Sequence, residues 1–455
     1  MPSPPPSAHT FGSTATVSLL LSALACELLA LSTGLDWASM LSAGLYGAFF
    51  LAHWRSLLPY PRRLGLITLA VAGLWGLHQP SLAATRGLAA TFAYYASFVA
   101  ALGLIQCLIA RLPQLGELHR ALLNGPRALL YPRYLGGALA LGALLSFGML
   151  NLLYATLRPQ LDAPGVGAET RRNAQRGVIS CALRGFALVP LLAPTSVTMA
   201  IIGREIPHLG WIDLLPFGAI TALLLLLLSW RGEHRNLRAL PELPWPAARV
   251  AWGKPLAGAL LGCTAIVLLA LYTPLNPSQA AMLTIPIGVL GCLLHWTSVA
   301  KAQAELTRTL DGQRNEVFIF GCSALLGGLV AQLVPLQGLA APLLKAPWLL
   351  HALEIGLLLG IPALALFGIA PIVSLNLLAA LLAQLAHLGI APLGPAIALV
   401  SGFALAMLLS PFGPSALLLE RLSGISAREL SLGWNGRLAL MALPFLLLLP
   451  GLAQL

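Results

Sequence analysis

Charge is what this sequence has least of. Only 9% of its 455 residues are Asp, Glu, Lys or Arg, against about one quarter in an ordinary soluble domain, which excludes a free-standing soluble enzyme or binding module. Acids are the scarcer sign, 15 against 26 basic residues. No acidic cluster, H-E-x-x-H, G-x-S-x-G or phosphate-binding glycine loop occurs, so hydrolytic, ATP-driven and metal chemistry have no sequence support. No catalytic residue, metal site or cofactor is therefore expected. The six cysteines, at 26, 107, 181, 263, 292 and 322, include no C-x-x-C pair and lie in apolar runs. That speaks against a disulfide framework or a zinc site and for small buried thiols. The N-terminal stretch MPSPPPSAHTFGSTATVSLLLSALACELLALS lacks the positive region of a secretory signal, so 14–32 is expected to be a retained span.

Apolar residues are what is there. They make up 58% of the chain, with a mean hydropathy of +0.85. The hydrophobic runs are repeatedly about 17–25 residues long, the length of a helix that crosses a bilayer, and no alternating barrel pattern competes. The fold class expected is an all-α polytopic membrane protein. Its net charge of +11 does not indicate nucleic acid, because the basic residues sit between apolar runs rather than on one soluble face. The use of 23 Arg against 3 Lys is that of a GC-rich bacterial genome, which points to a bacterial inner membrane. Expected spans are 14–32, 37–54, 63–78, 89–110, 134–157, 177–202, 211–229, 255–272, 281–299, 315–336, 349–388, 394–417 and 434–452.

Basic residues accumulate in cytoplasmic loops. If 134–157 and 349–388 each enter and leave on one side as re-entrant hairpins, while every other segment crosses once, 22 of the 26 Lys and Arg fall inside. Only Arg86, Arg204 and Lys345 then lie outside, Arg184 lies within a span, and the N-terminus is cytoplasmic. Making 134–157 an ordinary crossing splits the charges far more evenly. For 349–388 two short complete spans serve equally well, although the glycines and prolines of GIPALALFGIAP favour an interrupted turn.

One stretch occurs almost twice. GFALVPLLAP (185–194) and GFALAMLLSP (402–411) share seven of ten residues at an offset of 217. The same offset carries 37–54, 63–78 and 89–110 onto 254–271, 280–295 and 306–327, and 134–157 onto 351–374. Each half then holds five crossings and a hairpin. Five is odd, so the halves run in opposite directions, the inverted-topology repeat of secondary transporters. The expected organisation is an N-terminal segment with an extra helix (1–36), a first repeat (37–236) and a second (237–455), together about eleven transmembrane helices plus two re-entrant hairpins.

Prolines lie inside or just after the repeated stretches: Pro190 and Pro194 in the first, Pro411 at the end of the second and Pro414 just beyond it. Each is expected to break its helix. Small hydroxyls follow or flank the breaks, Thr195, Ser196 and Thr198 in one copy, Ser410 and Ser415 in the other. With the free amides and carbonyls of a broken helix they suit an anion or a small cation such as sodium; satisfying their own helices is the alternative. Expected hairpin-tip residues are Ser146, Gly148 and Asn151, and Gly368, Ser374 and Asn376, with structural helix-to-helix bonding as an equal alternative for each Asn. Arg184, inside a span, would pair with a carboxylate or another oxyanion, or else snorkel to the interface. Its repeat counterpart is Ser401. Glu354, with His351 beside it, would carry a coupling proton or sit at the interface; Glu27 is the other buried acid expected.

The hairpin followed by a broken span, twice and in opposite orientations, resembles the ion transporter superfamily, especially the divalent anion–sodium symporters and related carboxylate permeases. In place of that family's Ser-Asn-Thr signature this chain has APTSVT (193–198) and SPFGPS (410–415). The resemblance implies an elevator-like carrier, often a homodimer, embedded in membrane lipids. Such a carrier takes a small anionic substrate and uses Na+ or H+ as the coupling ion. An integral-membrane enzyme or assembly factor acting on a lipid-linked substrate is the alternative, and would be expected to use loop acids or a catalytic His/Asp pair.

Overall fold

The computed structural model describes residues 13–109, 111, 122, 127–145, 148–161, 167–238 and 253–453, and among these only helices and turns occur. The first helices are α1 (Ser13–Thr33), α2 (Asp36–Ala52), α3 (Pro59–Gly76), α4 (Leu82–Gly103) and the short α5 (Gln106–Ile109). Next come α6 (Leu130–Leu145), α7 (Gly148–Leu161), α8 (Ala168–Leu192), α9 (Val197–Glu205) and α10 (Trp211–Arg238). They are followed by α11 (Gly253–Tyr272), α12 (Pro277–Trp296), α13 (Val299–Gly312), α14 (Arg314–Leu333) and α15 (Gln337–Lys345). The last five are α16 (Pro347–Leu366), α17 (Pro371–His387), α18 (Leu393–Leu409), α19 (Pro414–Ser423) and α20 (Trp434–Leu452), the last entered through a π-turn at Glu429–Gly433. Among the described residues, eight helices or broken helices are long and apolar enough to cross a membrane, including Ala168–Glu205 and Leu393–Ser423. The chain is an integral membrane protein with an all-α fold.

Several run boundaries shift in instructive ways. The run 134–157 is two helices, α6 of 16 residues and α7 of 14. At 1.5 Å per residue they reach only about 24 and 21 Å, less than the ~30 Å of a hydrocarbon core. The run 349–388 is also two helices, and its first, α16, has 20 residues and is long enough to cross. Helix α13 was not anticipated, because VAKAQAELTRTLDG is too polar to register as a span. It is amphipathic, burying Ala302, Leu306 and Leu310 at a spacing of four. The cysteines divide: Cys107, Cys181 and Cys322 are buried as expected, whereas Cys263 is exposed on α11.

The chain forms two compact units, Met1–Leu108 with Ala281–Leu329, and Ile109–Ala280 with Val330–Leu455. Each unit draws on both halves of the sequence. In the first, α1 packs on α2 and α4, and α13 packs on α1. Ser42 Oγ donates to Ala23 O at 2.8 Å and Tyr46 Oη bonds Ser97 Oγ at 2.9 Å. The rings of Phe50 and Phe318 meet edge to face at 4.8 Å. The buried carboxylate of Glu27 accepts from Ser39 Oγ at 2.8 Å across α1 and α2. Ser39→Ala removes that donor from a buried acid and is expected to cost about 1–3 kcal/mol, read as a lower thermal-unfolding midpoint in detergent; an unchanged midpoint refutes it.

In the second unit α8 and α18 form the centre, and most of the residues of the two broken helices to which they belong are buried. Such burial requires close helix neighbours, and glycines provide them. A Cβ on Gly185 would lie 2.6 Å from Ala138 Cβ and 2.9 Å from the Ala138 carbonyl carbon on α6; one on Gly402 would lie 2.6 Å from Leu358 O on α16. These are the leading glycines of the two repeated stretches, and each is where a broken helix packs closely on a neighbour, α8 on α6 and α18 on α16. Gly177 and Gly394, also 217 apart, bring α8 onto α10 at Leu237 N (2.9 Å from a Cβ) and α18 near Pro450 O of α20 (3.2 Å).

Candidate functional site

The second unit contains both helix breaks. Residues 193–196 separate α8 from α9, and residues 410–413 separate α18 from α19. Helix α8 ends at Leu192 and α18 at Leu409; α9 starts at Val197 and α19 at Pro414. Both pairs are 217 apart. The backbone bonds coincide as well. Ala193 N donates to Val189 O and Ser410 N to Ala406 O, both at 2.9 Å; Ser196 N reaches Ala193 O at 3.1 Å and Gly413 N reaches Ser410 O at 3.2 Å. Ala200 N to Ser196 O and Leu417 N to Gly413 O are both 3.0 Å.

The prolines divide their roles differently from the sequence expectation. Pro190 lies inside α8, which continues through it to Leu192. It removes one backbone donor close to the helix end, which bends a last turn without stopping it. Pro414 is the first residue of α19, where its missing N–H costs nothing and its φ suits the helix. Only Pro194 and Pro411 lie within the breaks. Pro194 O accepts from Ser278 Oγ at 3.3 Å, and the Trp211 indole N–H donates to Leu192 O at 3.1 Å. The carbonyls released by the first break are thus partly taken up by neighbouring helices.

The hydroxyls also sort. Ser196 caps α9, accepting from Met199 N at 3.3 Å, and Ser410 donates to Ala365 O at 3.2 Å, tying the second break to the end of α16. Thr195 is half-buried in the first break, and Ser415 is buried in the first turn of α19. Thr198 and Ser374 differ: both are buried, and neither hydroxyl has a partner among the described residues. Thr198 is the second residue of α9 and Ser374 the fourth of α17, and these two helices pack on each other. Met199 N is taken up by Ser196 and Val373 N by Ala370 O, and Pro371 has no N–H, so these two helix N-termini offer few amides, and the unengaged donors are chiefly the two hydroxyls, suited to a negatively charged or strongly hydrogen-bonding group.

In the turn between α16 and α17, Gly368 has φ +87°, a left-handed conformation that favours glycine, and a Cβ there would be 3.9 Å from the Phe412 ring of the second break. Asn376 is buried on α17, whereas Asn151 is exposed on α7, which packs on α19. Ser146 lies outside the described residues.

Arg184 is the clearest departure. It is 5% exposed, so it does not snorkel, and its carboxylate partner is Glu233 of α10. Arg184 Nη2 donates to Glu233 Oε1 at 3.1 Å and to Trp434 O at 3.3 Å, and Nε donates to Asn435 Oδ1 at 2.8 Å. Glu233 Oε2 accepts from Asn236 Nδ2 at 2.8 Å, and Arg176 Nε stands 3.8 Å from Oε1 with its guanidinium 5.8 Å over the Trp434 ring. The charge is neutralised within the protein, where α8, α10 and α20 meet. Sequence reading missed Glu233 because SWRGEHRNLR looks like a polar connection. A signal was available: Thr221, Leu225, Ser229, Glu233 and Leu237 form a stripe at a spacing of four, and all are buried.

Glu354 is fully buried, takes His351 Nδ1 at 3.1 Å and lies against Gly394. Leu366 lies twelve positions further along α16, about 18 Å along the helix, so Glu354 stands apart from the turn at Gly368 and from the second break.

No protein family matches the sequence, and no curated protein matches it. Among solved structures, that of the Alcanivorax borkumensis YdaH transporter, described as having an unusual topology, is similar at 17% identity and a TM-score of 0.48, over 80% of this chain and 87% of that one.

Proposed function

We propose that this chain is a secondary transporter that moves a small organic or inorganic anion across a bacterial inner membrane, coupled to Na+ or H+. What supports the reading is the pair of helix breaks with the same backbone bonding 217 residues apart. A packing scaffold has no use for two interrupted membrane helices, whereas a carrier needs free backbone groups at membrane depth. In this reading 37–236 and 237–455 are inverted-topology repeats of five crossings and one re-entrant hairpin, with α1 as the extra helix and the N-terminus cytoplasmic. The hairpins and broken helices move elevator-like past a fixed scaffold, as the resemblance to the ion transporter superfamily implies, and a homodimer is the expected assembly. The anion takes its contacts from the Thr198 and Ser374 hydroxyls and from those amides at the starts of α9 and α17 that no cap engages. Thr195, Ser415 and Asn376 are further contacts, and Glu354 with His351 serves a coupling proton away from the anion.

The test is uptake of a panel of labelled carboxylates and inorganic anions into proteoliposomes, with sodium and proton gradients imposed separately. At least one compound should accumulate under one gradient. Thr198→Val and Ser374→Ala, which remove hydroxyls and keep shape, should each slow that uptake about tenfold or more, the worth of a hydrogen bond to a charged group. Absence of gradient-driven uptake across the panel, or unchanged uptake in both variants, overturns the proposal.

A further inference from the structure

Helix α10 is longer than a membrane requires. Its 28 residues measure about 42 Å against a hydrocarbon core of about 30 Å. Trp211 to Trp230 already spans that thickness, so Arg231–Arg238 stand at the depth of lipid headgroups. On the face of α10 turned away from α8, Ile220, Leu223 and Leu227 are more than half exposed, and Arg231, Arg235 and Arg238 are exposed in continuation of them. The spacing of three and four makes this one unbroken stripe, apolar for about two turns and then basic for about two. None of the three arginines forms a salt bridge with a described carboxylate.

The neighbouring helix ends add to the charge. Gly177 against Leu237 and Gly218 against Leu191 set α8 antiparallel to α10, so the start of α8 lies beside the end of α10. Arg172 to Glu429 at 3.0 Å and Arg176 over Trp434 bring the start of α20 to the same end. Residues 168–184, 231–238 and 420–437 together hold ten arginines and four glutamates. Two of those glutamates, Glu233 and Glu429, are already engaged by arginines. Arg171, Arg428 and Arg437 are exposed there.

We propose that this face of α10 is a binding site for an anionic phospholipid, with the phosphate held by Arg231, Arg235 and Arg238 and an acyl chain lying along Ile220–Leu227. A soluble polyanion would meet the basic half of the stripe and leave the apolar half unused; a zwitterionic lipid would use the apolar half and gain little from three arginines. An anionic lipid matches both. The site stands apart from the hydroxyls assigned to transport, so it holds whether or not uptake is observed.

The full chain, purified in a neutral detergent and given equal phosphatidylglycerol and phosphatidylcholine, is examined by native mass spectrometry. Phosphatidylglycerol should be retained in preference. R231Q/R235Q/R238Q should reduce its retention about tenfold or more, while R231K/R235K/R238K, which keeps charge at the same positions, and Arg86→Gln, in the other unit, should retain it. Should the glutamine variant fail to fold, loss of the wild-type preference in high salt serves as the second readout. Equal retention of the two lipids, undiminished phosphatidylglycerol on a folded glutamine variant, a salt-insensitive preference, or full competition by inorganic phosphate would each overturn the site.

Discussion

Arg184→Met should leave almost no folded protein. Removing one partner of a buried ion pair strands the other, and here the survivor would be Glu233, 4% exposed, with Asn236 and the more distant Arg176 as its partners. Such losses run to about 3–5 kcal/mol, a large part of the whole stability of a domain. Glu233→Leu should do the same by stranding the guanidinium. The double variant R184M/E233L removes both buried charges, leaving only the half-exposed Arg176 without its carboxylate, and should recover most of the folded yield, since apolar replacement of a buried pair is often neutral. Monodisperse yield on gel filtration and the unfolding midpoint in one detergent measure all three. Stable single variants, or a double variant as damaged as the singles, would sink the interpretation. The double variant also separates roles: if Arg184 held the transported anion, R184M/E233L would fold and fail to transport.

Gly402→Ala should be the most damaging addition of a single methyl group among the repeated residues. The new Cβ would sit 2.6 Å from Leu358 O, a backbone atom that moves only if α16 moves. Overpacking of this kind costs about 1–3 kcal/mol, and Gly402→Leu should exceed it. Gly185→Ala should behave similarly, because Ala138 opposes it at 2.6 Å through Cβ and 2.9 Å through a carbonyl carbon. Gly258→Ala on α11 is the contrast: nothing lies within 4 Å of its Cβ, so better helix propensity should leave the protein unchanged or up to about 1 kcal/mol more stable. Thermal midpoints that fail to separate Gly402→Ala from Gly258→Ala would refute the close-approach account.

Much of this could be read from the chain alone. Hydrophobic run length reflects how far a helix must travel, so helix positions such as 434–452 and 14–32 were legible to within a residue or so. The proline-containing repeats marked both breaks, because a missing N–H acts locally. What stayed hidden depended on partners distant in sequence. Whether Ser410 is a ligand or a tether depended on Ala365 O, 45 residues away.

The sequence by itself determined that this chain is a helical membrane protein, where most of its apolar helices run and where two of them are interrupted, because each of these follows from hydropathy and proline chemistry within a few turns. Only the tertiary structure decided what Arg184 does. A buried charge takes its role from the nearest counter-charge in a medium of low polarity, and Glu233 comes within 3.1 Å only once α8 and α10 have packed.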